Sequence, residues 1–511
     1  MVRTVGAVPD EALPECDDRA ELSLPSEIAA RDYRRGIACG EEVSVIVLDG
    51  RSLTASHIAA LAHRQDRAEL PAAGRDRATA SAEFAAQASR ERPVYGRSTG
   101  VGANRDIRLA DPAGQALSLL RSHATTAGPL RSPERVRAML AIRLNQLASG
   151  GSGAAPAVLD GLAAMLERDA LPPVRELGSI GTGDLSALAV TGLALIGEVP
   201  TRPRLDPIEL GIGDVLPLMS SNAATLADAA LAIVALRTLT AAALRIAALT
   251  FAAVNGNPEA FAPAVEAVTP FPGARRVCRT MRGLLTGTAL PARIQDPFGL
   301  RALPQVHGAL LDQIAAADSV VTAMVNAPSE NPVLLPDLGV AHHGGFHAAY
   351  LAQTLDVARI ALAQSAGLSL ARVTMFNEPA LTGVTPFLGD GTPGASGVMV
   401  VEYVAASALA ALRELATPVS VQAVTLSRGA EEHASFASLA ATAALQTVDS
   451  YRTLLGCELL SAMRCLRMRS LPLPAGLAGS APLLDPLGRD LRERDLTPEL
   501  DLATSAVDEL A

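Results

Sequence analysis

The chain contains 511 residues, of which 49% are hydrophobic, 19% are charged and only 3% are aromatic. At roughly 150 residues per domain, this length corresponds to about three domains or one large elongated unit. The net charge is −10, and the sequence contains no lysine, so dispersed arginines supply all of the positive charge. Proteins that bind nucleic acids typically neutralise phosphates with clustered basic residues and stack aromatic side chains on bases. The composition therefore argues against a nucleic-acid partner.

The sequence indicates neither a membrane span nor a metal site. No uncharged apolar run reaches the length of about 18 residues that a span requires, and the most apolar region, 223–254, is interrupted by charged residues. The N-terminal sequence lacks the apolar core of a signal peptide. The five cysteines lie far apart and lack zinc-ligand spacing. We therefore predict a cytoplasmic protein with reduced thiols, no membrane contact and no bound metal.

Four regions are predicted along the chain. Residues 1–42 are acidic and aperiodic, which is typical of a flexible extension. Residues 43–220 are predicted to form a smaller N-terminal domain of helices and loops. Residues 221–466 are predicted to form a bundle of long helices, and residues 467–511 a C-terminal tail with further helices.

The N-terminal domain is predicted to begin with a short strand near Val43. A turn follows at Asp49–Gly50, because an Asp-Gly pair favours a chain reversal. Thr54 or Ser56 is expected to cap a helix, since a side-chain hydroxyl can accept a hydrogen bond from the first helical turn. Helical sequence then continues to about Arg90, before the glycine-rich loop 95–104.

The bundle is predicted from long apolar helical segments. Ser221 or Asn222 is expected to cap a helix that runs to Val254 and stops at the Asn-Gly-Asn-Pro sequence of 255–258. Because this segment is apolar on nearly all sides, it should be buried on nearly all sides. Further long helices are predicted at 306–326, 348–372, 396–416 and 432–466. The fold class is therefore mainly α, a bundle of long antiparallel helices that is shared between subunits.

Three ordered motifs resemble the aromatic amino acid ammonia-lyase family, which includes histidine, phenylalanine and tyrosine ammonia-lyases and the related aminomutases. They are YGxxTGxG at 95–102, RAMLAxRLNxLAxGxSG at 137–153 and QDPxxLRxxPQVxGA at 295–309. The resemblance extends from about residue 44 to the C-terminal region. It implies the all-helical architecture of the fumarase and aspartase superfamily, and a homotetramer whose active sites draw residues from more than one chain.

The resemblance also implies a cofactor made from the chain itself. In the family, an Ala-Ser-Gly triplet followed by Asp-Leu cyclises with loss of two waters to methylidene-imidazolone (MIO). Here the matching sequence is one residue shorter, and Gly181, Thr182 and Gly183 occupy the triplet. Threonine has a β-hydroxyl to eliminate, but its product would carry an extra methyl group on the electrophilic carbon. The alternative, an ordinary glycine turn without cofactor, is slightly favoured by sequence alone because a deletion and a substitution affect the same triplet. No external cofactor is expected in either case.

The resemblance assigns roles to individual residues. Tyr95 matches the catalytic tyrosine that removes the β-proton, and its pKa is expected to be depressed by its surroundings. Glu431 matches the glutamate near the substrate amine, and Thr182 is the third residue assigned to catalysis. Arg301 matches the arginine that pairs with the substrate carboxylate. The other residues assigned to substrate or cofactor binding are His123, Asn222, Gln295, Phe298 and Phe346.

Several positions depart from the family pattern. Phe298 replaces a tyrosine, Gly345 an asparagine and Ala430 a glutamine, and Ala223 follows Asn222 where glycine is usual. His123, preceded by Ser122, matches histidine lyases and favours a polar substrate ring. The sequence thus indicates a divergent carbon–nitrogen lyase that eliminates ammonia from an aromatic amino acid. A 2,3-aminomutase, an acid–base isomerase or cyclase that works without MIO, and an inactive homologue remain as alternatives. The ligand is expected to be a small amino or carboxylic acid.

Overall fold

The computed structural model describes residues 44–511, so the predicted extension at 1–42 lies outside the described residues. Strand β1, Val45–Val47, confirms the short strand predicted near Val43 and pairs in parallel with β2, Arg67–Glu69. Two further two-stranded sheets are antiparallel: β3, Ala127–Leu130, with β4, Arg175–Leu177, and β5, Val333–Leu335, with β6, Gly339–Ala341. In the described part of the chain, strands are short and helices dominate, which confirms the predicted mainly α class.

The first half of the chain contains shorter helices. Thr54 caps α1 by accepting a hydrogen bond from the His57 N–H at 3.2 Å. The predicted continuous helix to Arg90 is wrong. The chain turns at Arg64, which has a positive φ, and then forms β2. Helix α2 begins only after Pro71. The helices are α1 Ala55–Ala62, α2 Ala72–Glu91, α3 Pro112–His123, α4 Pro133–Ala148, α5 Pro156–Arg168, α6 Leu185–Leu195 and α7 Val215–Met219.

The predicted long helices are present in the second half. The helices of this half are α8 Ala223–Ala253, α9 Pro263–Val268, α10 Pro272–Leu284, α11 Phe298–Arg301, α12 Leu303–Val325, α13 Ala349–Met375, α14 Pro379–Thr382, α15 Met399–Leu415, α16 Ala437–Met468, α17 Ala481–Leu484 and α18 Thr497–Glu509. The helix predicted from residue 432 begins later, because Phe436 adopts a positive φ and its N–H donates to the Ile180 carbonyl.

Helix α8 is the centre of the bundle. It is rich in alanine and leucine, and buried residues occur along its entire length. It packs against α16, which in turn packs against α13 and α15. The helix ends before Asn255, where a positive φ and the Gly256 N–H bond to the Phe251 carbonyl reverse the chain, as predicted.

One hydrophobic core extends from Ile46 to Leu510 and joins the shorter helices to the bundle. The predicted boundaries at 220 and 466 remain sequence-based predictions. Two stretches, Val215–Ala253 and Leu303–Val325, are long and apolar enough to span a membrane by length and composition. Both pack within the bundle, so we interpret them as helices of a folded core.

Candidate active site

Tyr95 lies in the loop that follows α2, and two backbone contacts fix it. Its hydroxyl oxygen accepts a hydrogen bond from the Gly102 N–H at 2.7 Å. Its own N–H donates to His342 Nε2 at 3.2 Å, which joins the loop to the segment after β6. Gly102 has a φ of +56°, a conformation that favours glycine and turns its N–H toward the phenol. The glycine-rich loop therefore orients the phenol oxygen of Tyr95.

The pKa of Tyr95 is raised above its ordinary value, so the expectation of a depressed pKa is wrong for the chain on its own. Burial is the largest cause, because it disfavours the charged phenolate, and the negative charge of Glu431 acts in the same direction. The Gly102 N–H and the positive charge of Arg105 oppose both effects. A substrate cation beside Glu431 would remove one of the two causes that raise the pKa.

Glu431 reaches the Tyr95 loop through a tight turn before α16. Leu426 and Glu431 pair by two backbone hydrogen bonds, of 2.9 and 3.3 Å, which close the turn. The Ser427 hydroxyl at its tip accepts a hydrogen bond from the Ala103 N–H at 3.3 Å. A Cβ atom placed on Gly102 would lie 3.8 Å from Glu431 Oε1. The turn therefore brings the Glu431 carboxylate beside the residue that binds the Tyr95 hydroxyl.

The Gly181–Thr182–Gly183 triplet is held by hydrogen bonds at both of its glycines. The Gly181 carbonyl oxygen accepts from the Ser435 hydroxyl at 2.7 Å and from the Ala348 N–H at 3.3 Å. The Gly183 N–H donates to Asn222 Oδ1 at 3.1 Å. Both glycines have positive φ values, +85° and +112°. The triplet is thus a fixed loop whose first carbonyl is polarised by two donors.

Asn222 links the triplet to Phe346 and does not cap α8 with its side chain. Its Nδ2 donates to the Phe346 carbonyl at 2.7 Å while its Oδ1 binds the triplet. Asp184, which immediately precedes α6, supplies the side-chain cap of α8. Its carboxylate accepts from the Thr225 N–H at 2.7 Å and from the Thr225 hydroxyl at 2.9 Å. Burial raises the pKa of Asp184, and these donors oppose it. Asn222 is therefore the N-cap residue of α8, as predicted, but the side-chain hydrogen bonds at this helix end come from Asp184.

Two histidines connect the segments that surround Gly181. His347 Nε2 lies 3.0 Å from His433 Nδ1, and the ring centroids are 5.1 Å apart. Burial and the neighbouring imidazole lower the pKa of His347. These residues flank Ala348 and Ser435, whose side-chain and backbone donors bind the Gly181 carbonyl. Neither His433 nor Ser435 belongs to a motif that predicts a role, although both lie close after Glu431 in the sequence.

A buried polar network beside the triplet includes two residues of the motif at 137–153. Gln146 Oε1 accepts from the Ser221 hydroxyl at 2.6 Å and from Arg143 Nη1 at 3.1 Å. The Ser221 carbonyl in turn accepts from the Asp184 N–H at 2.6 Å. Arg143 also forms a fully buried ion pair with Glu330 at 2.5 Å. Arg143 and Gln146 of this motif therefore support, through Ser221, the loop that carries the triplet.

The remaining candidate residues form their contacts elsewhere in the described chain. Arg301 and Phe298 lie on the short helix α11, where the guanidinium carbon is 4.5 Å from the centre of the exposed Phe298 ring. Gln295 is exposed just before α11. His123 ends α3, and its Nδ1 lies 3.0 Å from the Leu119 carbonyl oxygen and 3.1 Å from the Ser122 hydroxyl. Within the described chain, no hydrogen bond or ion pair joins these four residues to the triplet or to Tyr95.

Arg301 has no carboxylate partner among residues 44–511, and its Nε is buried without a hydrogen-bond acceptor. A guanidinium that stacks on an aromatic ring keeps its outer N–H groups available for an anion.

No group of three or more metal-ligating side chains occurs in the described residues. The arrangement provides a buried tyrosine near a carboxylate, a glycine triplet whose first carbonyl has two donors, and an arginine without a carboxylate partner in the described chain.

Comparison with known proteins agrees with these motifs. The family model for aromatic amino acid lyases matches residues 53–484. A histidine ammonia-lyase of Anaeromyxobacter sp. (strain K) is 34% identical over 504 residues, which cover 91% of this chain and 99% of the relative.

Solved structures give the same result for the fold. The tyrosine aminomutase of Streptomyces globisporus has a TM-score of 0.86 and 25% identity, and the match covers 92% of this chain and 97% of that protein. Ergothionase of Treponema denticola has a TM-score of 0.85 and 24% identity, over 91% and 99% of the two chains. Sequence and fold together show that the chain belongs to the aromatic amino acid lyase family.

Proposed function

We propose that this protein is a carbon–nitrogen lyase that eliminates ammonia from an aromatic amino acid with an imidazole-like ring. The observation that carries the proposal is the convergence of three distant segments. The turn at Glu431 is joined to the Tyr95 loop by the hydrogen bond from the Ala103 N–H to the Ser427 hydroxyl, and the segment that follows Glu431 is joined to the triplet by the Ser435 hydroxyl on the Gly181 carbonyl. This arrangement combines a base for a carbon-bound proton with groups able to receive an amine.

The residues of the triplet fit the formation of an electrophile. Cyclisation requires attack of the Gly183 amide nitrogen on the Gly181 carbonyl carbon, followed by loss of water from that carbon and from the Thr182 side chain. The Gly181 carbonyl has two hydrogen-bond donors that stabilise the negative charge formed on its oxygen during attack. Asn222 Oδ1 accepts the N–H of the attacking nitrogen. These contacts favour cyclisation over an ordinary turn, despite the shorter loop and the threonine.

When formed, the group supplies an electrophile that makes the substrate amine a leaving group. Because threonine replaces serine, the electrophilic carbon would carry a methyl substituent that hinders attack. The other steps are performed by side chains. The Tyr95 oxygen accepts the β-proton, and the Gly102 N–H and Arg105 stabilise its phenolate form. The Glu431 carboxylate binds the substrate ammonium, which cancels the charge that raises the pKa of Tyr95.

We propose that Arg301 of one chain binds the substrate carboxylate in the active site of another chain. Arg301 has no carboxylate partner and no hydrogen bond to Tyr95 among residues 44–511. The bidentate fork of a guanidinium suits a carboxylate. Exposed aromatic residues support close contacts between subunits, since Tyr350 is 81% exposed and Tyr403 is 60% exposed. The assembly that we propose is a cytoplasmic homotetramer.

The local hydrogen bonds of His123 support a polar substrate ring. If Nδ1–H donates to the Leu119 carbonyl, Nε2 is left as an acceptor that can bind a ring N–H. The histidine ammonia-lyase named above is a relative over nearly its whole length. The similarity to a tyrosine aminomutase supports a second candidate, in which the same groups return the amine to the β-carbon.

The test is incubation of the purified full-length protein with histidine, phenylalanine and tyrosine. We expect release of ammonia together with the α,β-unsaturated acid, most rapidly from histidine, and loss of activity in Tyr95→Phe. Formation of a β-amino acid would contradict the lyase reaction and support the aminomutase reaction instead. Absence of both products from all three substrates would contradict the proposal.

A further inference from the structure

The core of the bundle contains a buried ion pair that contacts the helix carrying Arg301. Arg372 on α13 and Glu458 on α16 have side chains that are 2% and 0% exposed. Arg372 Nε donates to Glu458 Oε1 at 2.6 Å, and Nη2 donates to Oε2 at 2.9 Å. The Thr250 hydroxyl on α8 donates to the same carboxylate at 2.9 Å. Three long helices therefore fix the orientation of the guanidinium.

The third nitrogen of this guanidinium does not bind Glu458 and contacts a different helix. Arg372 Nη1 donates to the Gly299 carbonyl oxygen at 3.0 Å. Gly299 lies in α11 between Phe298, on which Arg301 stacks, and Arg301 itself. The Leu300, Arg301 and Ala302 N–H groups close the turn by donating to Pro297 and Phe298 carbonyls, at 3.0 to 3.1 Å. The ion pair thus contacts the middle of a one-turn helix.

Packing brings the same turn against α13. A Cβ atom on Gly299 would lie 2.8 Å from Met375 Cε, 3.2 Å from Ala371 Cβ and 3.5 Å from Arg372 Cγ. A Cβ atom at this position would therefore displace the Met375 methyl group and press against Ala371 on the helix that carries Arg372. A helix of four residues has too few internal hydrogen bonds to hold its own position. Its orientation depends on these contacts.

We propose that the Arg372–Glu458 pair is a positioning device that holds Arg301 in its substrate-binding orientation through the Gly299 carbonyl. The role of Arg301 in this inference rests on the proposed function, whereas the position of α11 does not. Stability alone is a weak explanation for the pair, since well-packed apolar residues stabilise a core as well as a buried ion pair does. An apolar pair has no N–H group that could donate to the Gly299 carbonyl, as Arg372 Nη1 does.

Arg372→Lys is the informative variant because lysine keeps the positive charge beside Glu458. Its single ammonium cannot bind both carboxylate oxygens and the Gly299 carbonyl in the geometry of the guanidinium. Arg359→Lys is the matched control. Arg359 is also buried on α13, pairs with Asp356, and donates to the Thr417 carbonyl, away from α11.

The first measurement is amide hydrogen exchange over residues 297–303. We expect faster exchange in Arg372→Lys than in wild type, and exchange at the wild-type rate in Arg359→Lys. Gly299→Ala crowds the contact of α11 with Met375 and Ala371 while keeping both ion-pair partners. We expect it also to speed exchange over this segment, which tests the inference if Arg372→Lys folds poorly. Wild-type exchange in a folded Arg372→Lys variant, or equal acceleration in the control, would overturn the inference.

The second measurement is steady-state kinetics on the preferred amino acid. We expect KM to rise by about tenfold in Arg372→Lys with a smaller change in kcat, which corresponds to about one charge-assisted hydrogen bond to the carboxylate. Faster exchange with an unchanged KM would support the positioning of α11 but contradict Arg301 as the carboxylate anchor. If wild type releases no ammonia, the proposed function fails, and the exchange measurement still decides the positioning role.

Discussion

The Ser435 hydroxyl provides a direct test of how the triplet reacts. It lies 2.7 Å from the Gly181 carbonyl oxygen, the atom that gains negative charge when the Gly183 nitrogen attacks. Loss of one donor at such an oxygen slows a reaction by about 10²- to 10³-fold, or about 2.7–4 kcal/mol. Because the Ala348 N–H remains at 3.3 Å, we expect Ser435→Ala to slow cyclisation by about 10²-fold, at the lower end of this range.

The assay follows the intact mass of newly synthesised protein over time after translation is stopped. The fraction that has lost two waters gives the rate of cyclisation, which an end-point mass would conceal. Ser438→Ala is the matched control, because the Ser438 hydroxyl donates to the Ser179 carbonyl at 2.9 Å and does not touch Gly181. We expect it to cyclise at the wild-type rate.

Folding must be measured in parallel. The Ser435 hydroxyl also accepts from the Ala437 N–H at 3.3 Å, at the start of α16. Its loss is therefore expected to reduce the free energy of unfolding by about 1 kcal/mol, which thermal unfolding detects. A folded Ser435→Ala variant that cyclises as fast as wild type, or a control that is slowed equally, would refute the role assigned to this hydroxyl.

Three further predictions concern binding, acid–base chemistry and assembly. Arg301→Lys should raise KM by about tenfold to a hundredfold, since a charge-assisted hydrogen bond contributes about 1.5–3 kcal/mol; an unchanged KM would mean that the carboxylate binds elsewhere. Glu431→Gln removes a charge that raises the pKa of Tyr95, so ultraviolet titration should detect tyrosinate at lower pH than in wild type. Activity requires the deprotonated base, so the rising limb of kcat/KM should also move to lower pH, while the exposed neighbour Glu432→Gln should leave both unchanged. Light scattering at micromolar concentration should give the mass of a tetramer, and a monomer would contradict shared active sites.

The helical architecture could be predicted from sequence because its signals are local. The apolar length of α8, and its end at Asn255, are encoded in consecutive residues, and the structure confirms them. Contacts with distant segments decide what local signals cannot. Asn222 occupies the N-cap of α8 as predicted, but Asp184, from the loop before α6, supplies the side-chain hydrogen bonds to Thr225. Helix α16 begins at Ala437, later than predicted, because the Phe436 N–H donates to the Ile180 carbonyl.

The residues around the triplet could be only partly predicted. Tyr95 and Glu431 were recognised by family motifs, and the structure brings them together. The direction of the pKa shift of Tyr95 was missed because burial and the charge of Glu431 depend on tertiary contacts. Ser435 was missed because a serine after a histidine carries no distinct sequence signal. Its role follows only from its contact with Gly181, 254 positions away.

The central claim, that Gly181, Thr182 and Gly183 form the electrophile of a lyase, is tested most directly by the intact mass of the purified wild-type chain. The account predicts a mass lower than the encoded mass by two waters, with the full encoded mass in Thr182→Ala, which has no β-hydroxyl to eliminate. Thr182→Ser should also lose two waters, and should show equal or higher lyase activity because the hindering methyl group is gone. A wild-type chain of full encoded mass that still releases ammonia from an amino acid would contradict the account.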